Sequence, residues 1–81
     1  MDSLQQEIKD EIEYYLKSSM MPQLTERLSE VSKEAQEALY NFISFQRHNK
    51  MQKTVIAFQV KEDVYALLNG KRAEFSYTFV V

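Results

Sequence analysis

The sequence predicts an α+β domain, in which an N-terminal antiparallel helical hairpin is followed by a three-stranded antiparallel β-meander, in the order ααβββ. Three observations support this prediction. Apolar residues recur at helical spacing as far as residue 49, apolar and polar residues alternate toward the C-terminus, and the single glycine follows an asparagine between two apolar segments. A chain of 81 residues is expected to form one domain, over residues 1–81.

The first helix is predicted over residues 2–20. Its apolar side chains follow one another mostly three or four residues apart: Leu4, Ile8, Ile12, Tyr15, Leu16 and Met20. The helix is expected to end before Pro22, because the residue that precedes a proline is disfavoured in the α region.

The second helix is predicted over residues 22–49 and has the clearest pattern in the chain. Its apolar residues alternate between spacings of four and three, as in a coiled coil: Leu24, Leu28, Val31, Ala35, Ala38, Phe42 and Phe45. The part from Leu24 to Ala38 is expected to pack on the first helix, with the chain turning at residues 20–22. The part from Phe42 to Phe45 is expected to pack on the sheet.

Strands are predicted over residues 54–60, 64–68 and 72–81, which are rich in β-branched and aromatic side chains. Asn69 and Gly70 form the residue pair that favours a type I′ hairpin turn between the second and third strands. An alternative order, ααβαβ, makes the segment from Val64 to Asn69 a short helix, with Asp63 as its N-cap and Gly70 as its C-cap.

The composition excludes several classes of chemistry. The chain has no cysteine, so thiol catalysis and thiolate metal sites are excluded, and one glycine is too few for a phosphate-binding loop. The only histidine, His48, lies among polar and basic residues near the predicted end of the second helix. We therefore expect a protein that is not an enzyme and that has no cofactor and no metal site.

No apolar stretch reaches the roughly 18 to 20 residues that a membrane helix needs, and the N-terminus does not resemble a secretion signal. A cytoplasmic location is the resulting expectation.

The first functional hypothesis is a protein–protein interaction module. A domain of this size has a small core and often depends on a partner chain for stability, so a homodimer is expected, acting as an adaptor, assembly factor or small inhibitor. The heptad helix and an uncharged edge strand at the C-terminus are the expected contact surfaces. The candidate contact residues are Tyr14, Phe75, Tyr77, Phe79 and Val81.

The alternative hypothesis is a nucleic-acid-associated protein. Residues 1–46 carry nine acidic and four basic side chains, whereas residues 47–81 carry three acidic and six basic ones. Basic residues at the end of the second helix and beside the predicted hairpin turn would contact phosphates: Arg47, Lys50, Lys53, Lys71 and Arg72. The low isoelectric point, near 5.3, argues against this hypothesis.

Overall fold

The computed structural model describes residues 3–70, which form four α-helices joined by short connections. We number the helices α1 to α4 in chain order. They extend over Ser3–Ser18, Pro22–Glu26, Lys33–His48 and Lys53–Leu68.

Helix α1 is the element around which the other three are arranged. It packs against α2, α3 and α4, and its inward stripe of Ile8, Ile12, Tyr15 and Leu16 is buried. These residues are spaced as a helix requires for one buried face. The predicted first helix is therefore present, although it ends at Ser18.

The predicted second helix is not continuous. Helix α2 is followed by a 3-10 turn, Leu28–Glu30, after which Val31 is extended and Ser32 begins α3 as its N-cap. The hydroxyl of Ser32 accepts a hydrogen bond from the backbone N–H of Ala35 at 3.2 Å. The side-chain amide of Gln36 donates to the carbonyls of Leu28 and Val31, at 3.2 and 2.9 Å. The carbonyl of Leu28 also accepts from the backbone N–H of Val31 at 3.0 Å, so Gln36 is its second donor.

The break also changes which apolar residues are buried. Leu24, Leu28, Val31 and Ala35 lie in the core, as the heptad pattern predicts. Beyond Ala35 the buried residues of α3 are Leu39 and Ile43, whereas Phe42 is only partly buried. The first part of the heptad stripe, from Leu24 to Ala35, therefore belongs to the core, whereas its later residues are only partly buried.

The predicted β-meander is wrong. Residues 54–60 and 64–68, predicted as two strands, belong to the single helix α4, and no strand occurs within residues 3–70. The alternative order ααβαβ is also incorrect in its strand at 54–60, although residues 64–68 are helical in the structure. The predicted strand over residues 72–81 lies outside the described part of the chain.

Helix α4 forms because its buried side chains repeat with the helical period. Ile56, Ala57, Val60 and Val64 are buried on one face, and Leu67 continues this face with partial burial. Asp63, predicted in a loop or at an N-cap, is instead buried within the helix and accepts a hydrogen bond from Gln59 Nε2 at 3.1 Å. Every backbone group in the middle of such a helix finds its partner locally, so the segment needs no neighbouring strand.

Three helices end in a residue with left-handed backbone geometry. The φ angles are 62° at Met20, 59° at Lys50 and 68° at Gly70, after α1, α3 and α4 respectively. At the first two ends, the following N–H groups, of Met21 and Met51, donate to Leu16 and Gln46, five residues earlier, as in a Schellman motif. Asn69 and Gly70 thus terminate α4 and do not form a hairpin turn.

Candidate interaction surface

The side of α4 that faces away from the core carries three exposed apolar residues. Phe58 is 57% exposed, Tyr65 is 49% exposed and Val55 is 47% exposed. Phe58 and Tyr65 are seven residues apart, so they lie two helical turns apart on the same side of α4. Exposed apolar side chains that cluster on one side of a helix make that side a candidate contact surface.

Two charged residues lie beside this aromatic pair. Because successive residues are about 100° apart around a helix, Lys61 and Glu62 lie on opposite flanks of the line from Phe58 to Tyr65. The ammonium of Lys61 is 4.6 Å from the centre of the Phe58 ring and 3.7 Å from a carboxylate oxygen of Glu62. We call these five residues the α4 outer face: Val55, Phe58, Lys61, Glu62 and Tyr65.

A second candidate surface lies between α1 and the turn that joins α3 to α4. It is an open cleft of about 330 Å³, lined by residues that we call the Tyr14 cleft: Glu11, Tyr14, Tyr15, Arg47 and Lys53. Tyr14 is 46% exposed, and its ring meets that of Tyr15 edge to face, with 5.2 Å between the ring centres.

The cations of this cleft already have partners within the chain. Arg47 Nη1 donates to Glu11 Oε1 at 2.8 Å. The ammonium of Lys53 donates to the hydroxyl of Tyr14 and lies 5.0 Å from the centre of the Tyr14 ring. The hydrogen bond to Tyr14 raises the pKa of Lys53, and burial raises the pKa of the Tyr15 phenol. Both pKa shifts favour a cationic Lys53 and a neutral Tyr15 at pH 7.

The structure therefore brings together residues from both functional hypotheses. Tyr14, a predicted protein contact, lies beside Arg47 and Lys53, which are predicted phosphate contacts. Lys50 is exposed in the turn between α3 and α4, and His48 is the exposed last residue of α3. The remaining candidates lie outside the described residues: Lys71, Arg72, Phe75, Tyr77, Phe79 and Val81.

The α4 outer face was missed at the level of the sequence, although its signal was present. Val55, Phe58, Glu62 and Tyr65 follow one another at spacings of three, four and three. The segment thus carries two helical stripes, one buried and one exposed. Assigned as strands, the same residues placed Phe58 in the core, which concealed the exposed stripe.

Within residues 3–70, no group of three or more histidine, aspartate or glutamate residues could hold a metal ion. No helix among these residues is both long and apolar enough to cross a membrane.

Comparison of the chain with models of protein families, with curated proteins and with solved structures gives no match.

Proposed function

We propose that the protein is a non-catalytic protein–protein interaction module that binds its partner through the α4 outer face. The observation that carries this proposal is the exposure of Phe58 and Tyr65 on a helix whose opposite side is already buried in the core. Aromatic side chains contribute much of the binding energy at protein interfaces, because each covers a large area at a low cost in conformational entropy.

The exposed position of this apolar face also supports the proposal on energetic grounds. The fold buries Ile56, Val60 and Val64 on the inner side of α4, so the packing of the core does not require an aromatic residue at position 58 or 65. Exposed apolar area lowers solubility without stabilising the fold. A partner that covers this face would remove the exposed area from water.

The test compares substitutions on this face with substitutions of other exposed apolar residues. Phe58→Ser with Tyr65→Ser should abolish self-association and the capture of partner proteins, while circular dichroism and the melting temperature stay close to those of the unmodified chain. The matched control is Met20→Ser with Met51→Ser, since these side chains are exposed outside both candidate surfaces. Undiminished association of the Phe58/Tyr65 variant would contradict the proposal.

A second candidate function, nucleic-acid association, is favoured by one observation: Arg47 and Lys53 line the same cleft. Against it, Glu11 and Tyr14 already hold these two cations, so binding a phosphate would require breaking an ion pair. Arg47→Ala with Lys53→Ala should abolish any nucleic-acid binding, and binding to the unmodified chain should weaken steeply with added salt. Absence of binding at low salt would remove this candidate.

A further inference from the structure

We infer that the partner of the α4 outer face is a second copy of this chain, with the two α4 helices side by side and parallel about a twofold axis. This inference rests on the proposed function and specifies its partner. It is drawn from the arrangement of charge around the exposed aromatic pair.

The aromatic pair would form the centre of such an interface. In a parallel twofold pair, each residue on the contact line meets its own counterpart at the same height along the helix. Phe58 would therefore meet Phe58 of the second copy, and Tyr65 would meet Tyr65 two turns further along. Their exposed rings are placed to pack against each other in offset or edge-to-face geometry.

The flanking charges select the parallel orientation. In a parallel pair, the left flank of one helix lies beside the right flank of the other, so Lys61 faces Glu62 of the second copy on both sides of the interface. In an antiparallel pair, equal flanks meet, and Lys61 would face Lys61 while Glu62 would face Glu62. Because like charges repel, the antiparallel arrangement is disfavoured.

The dimer requires little rearrangement of these side chains. Lys61 already holds its ammonium 3.7 Å from the carboxylate of Glu62 in its own chain. In the dimer, the two internal pairs, one in each copy, are exchanged for two pairs between the copies. A single pair of 16-residue helices buries less than a standard interface of about 1,600 Å², so we expect a weak dimer, with a dissociation constant in the micromolar range or above.

Charge reversal tests the register. Lys61→Glu places two acidic residues opposite each other, and Glu62→Lys places two basic residues opposite each other, so each variant alone should dimerise at least about tenfold more weakly. A mixture of the two variants should form a heterodimer, and the double variant Lys61→Glu with Glu62→Lys should recover the homodimer. Sedimentation equilibrium of the full chain at high micromolar concentration measures each case.

Orientation is tested by crosslinking, which the absence of native cysteine makes simple. Asn69 follows α4 and is exposed. In the parallel pair, Asn69→Cys lies near its counterpart and should form a disulfide-linked dimer on oxidation. In an antiparallel pair centred between positions 61 and 62, the two cysteines would be about 20 Å apart, too far for a disulfide. Asn41→Cys, on exposed α3 surface, is the control that should remain uncrosslinked.

The outcomes separate this inference from the proposed function. If the chain is monomeric but binds a different protein through Phe58 and Tyr65, the inferred dimer is wrong and the proposed interaction function is supported. A homodimer that is insensitive to both single charge reversals, or that forms no disulfide through Asn69→Cys, would overturn the parallel arrangement. A chain that neither self-associates nor binds another protein through Phe58 and Tyr65 would overturn both the dimer and the proposed function.

Discussion

Helices α1 and α4 are both 16 residues long, but their solvent-exposed sides differ in polarity. On α1, the side away from the core carries mainly charged and polar residues, among them Glu7, Lys9 and Asp10. On α4, the corresponding side carries Val55, Phe58 and Tyr65. The exposed side of α1 is thus mostly polar, with Tyr14 as its exposed aromatic residue, whereas α4 carries a second row of apolar residues that the fold does not bury.

The largest expected effect concerns the core that α3 shares with the rest of the chain. Ala35 is 5% exposed, so Ala35→Glu would bury an unpaired charge and should lower the free energy of unfolding by about 3 to 5 kcal/mol. Asn41→Glu introduces the same side chain at an exposed position of α3 and should change the free energy of unfolding by less than about 0.5 kcal/mol. Thermal and urea unfolding measure both, and equal stability of the two variants would show that Ala35 is not in the core.

The next effect distinguishes the two sides of α4. Ile56→Ala should lower the free energy of unfolding by about 2 to 5 kcal/mol, because Ile56 is 1% exposed. Phe58→Ala should lower it by less than about 1 kcal/mol, since that ring is mostly in water. In a β-strand, both residues would share a buried face and both substitutions would be costly. If urea unfolding shows similar large losses of stability for Ile56→Ala and Phe58→Ala, the segment is a strand and not the helix α4.

The smallest effects concern the helix ends on either side of α4. Lys50→Gly should stabilise the protein by about 0.5 kcal/mol, because glycine accepts the left-handed geometry without strain, which outweighs its greater freedom in the unfolded chain. Gly70→Ala should destabilise it by about 1 kcal/mol, and among residues 3–70 no atom lies within 4 Å of the added methyl group, so the cost is conformational. A loss of stability in Lys50→Gly would contradict this account.

The wrong prediction at α4 has a specific physical cause. Ile56, Val60 and Val64 are four residues apart, and this spacing places them on one face in a helix and equally in a strand, since four is a multiple of the strand period of two. The residues that distinguish the two structures are Ala57, which only the helix buries, and Phe58, which only the strand would bury. Phe58 has a high β-propensity and Ala57 is a weak apolar signal, so the strand pattern was easier to see than the helix pattern.

The break between α2 and α3 was missed for a different reason. The apolar spacing from Leu24 to Ala35 is compatible with a continuous helix, and the residues of the break do not include glycine or proline. The interruption is held by Ser32 as N-cap and by the Gln36 amide, which donates to the carbonyls of Leu28 and Val31 across the break. Ser32 was a visible signal, whereas the role of Gln36 depends on the folded geometry.

The sequence by itself determined the positions of the helix ends near Pro22 and Asn49, the buried stripe of α1, and the absence of cysteine chemistry, because these follow from local backbone preferences and composition. Only the tertiary structure decided that residues 53–68 form a helix, which of its two apolar sides is buried, and that Tyr14 lies beside Lys53. Both apolar sides of α4 could have entered the core, and the choice depended on which side fits against α1. Phe58 and Tyr65 remained exposed as a consequence of that packing.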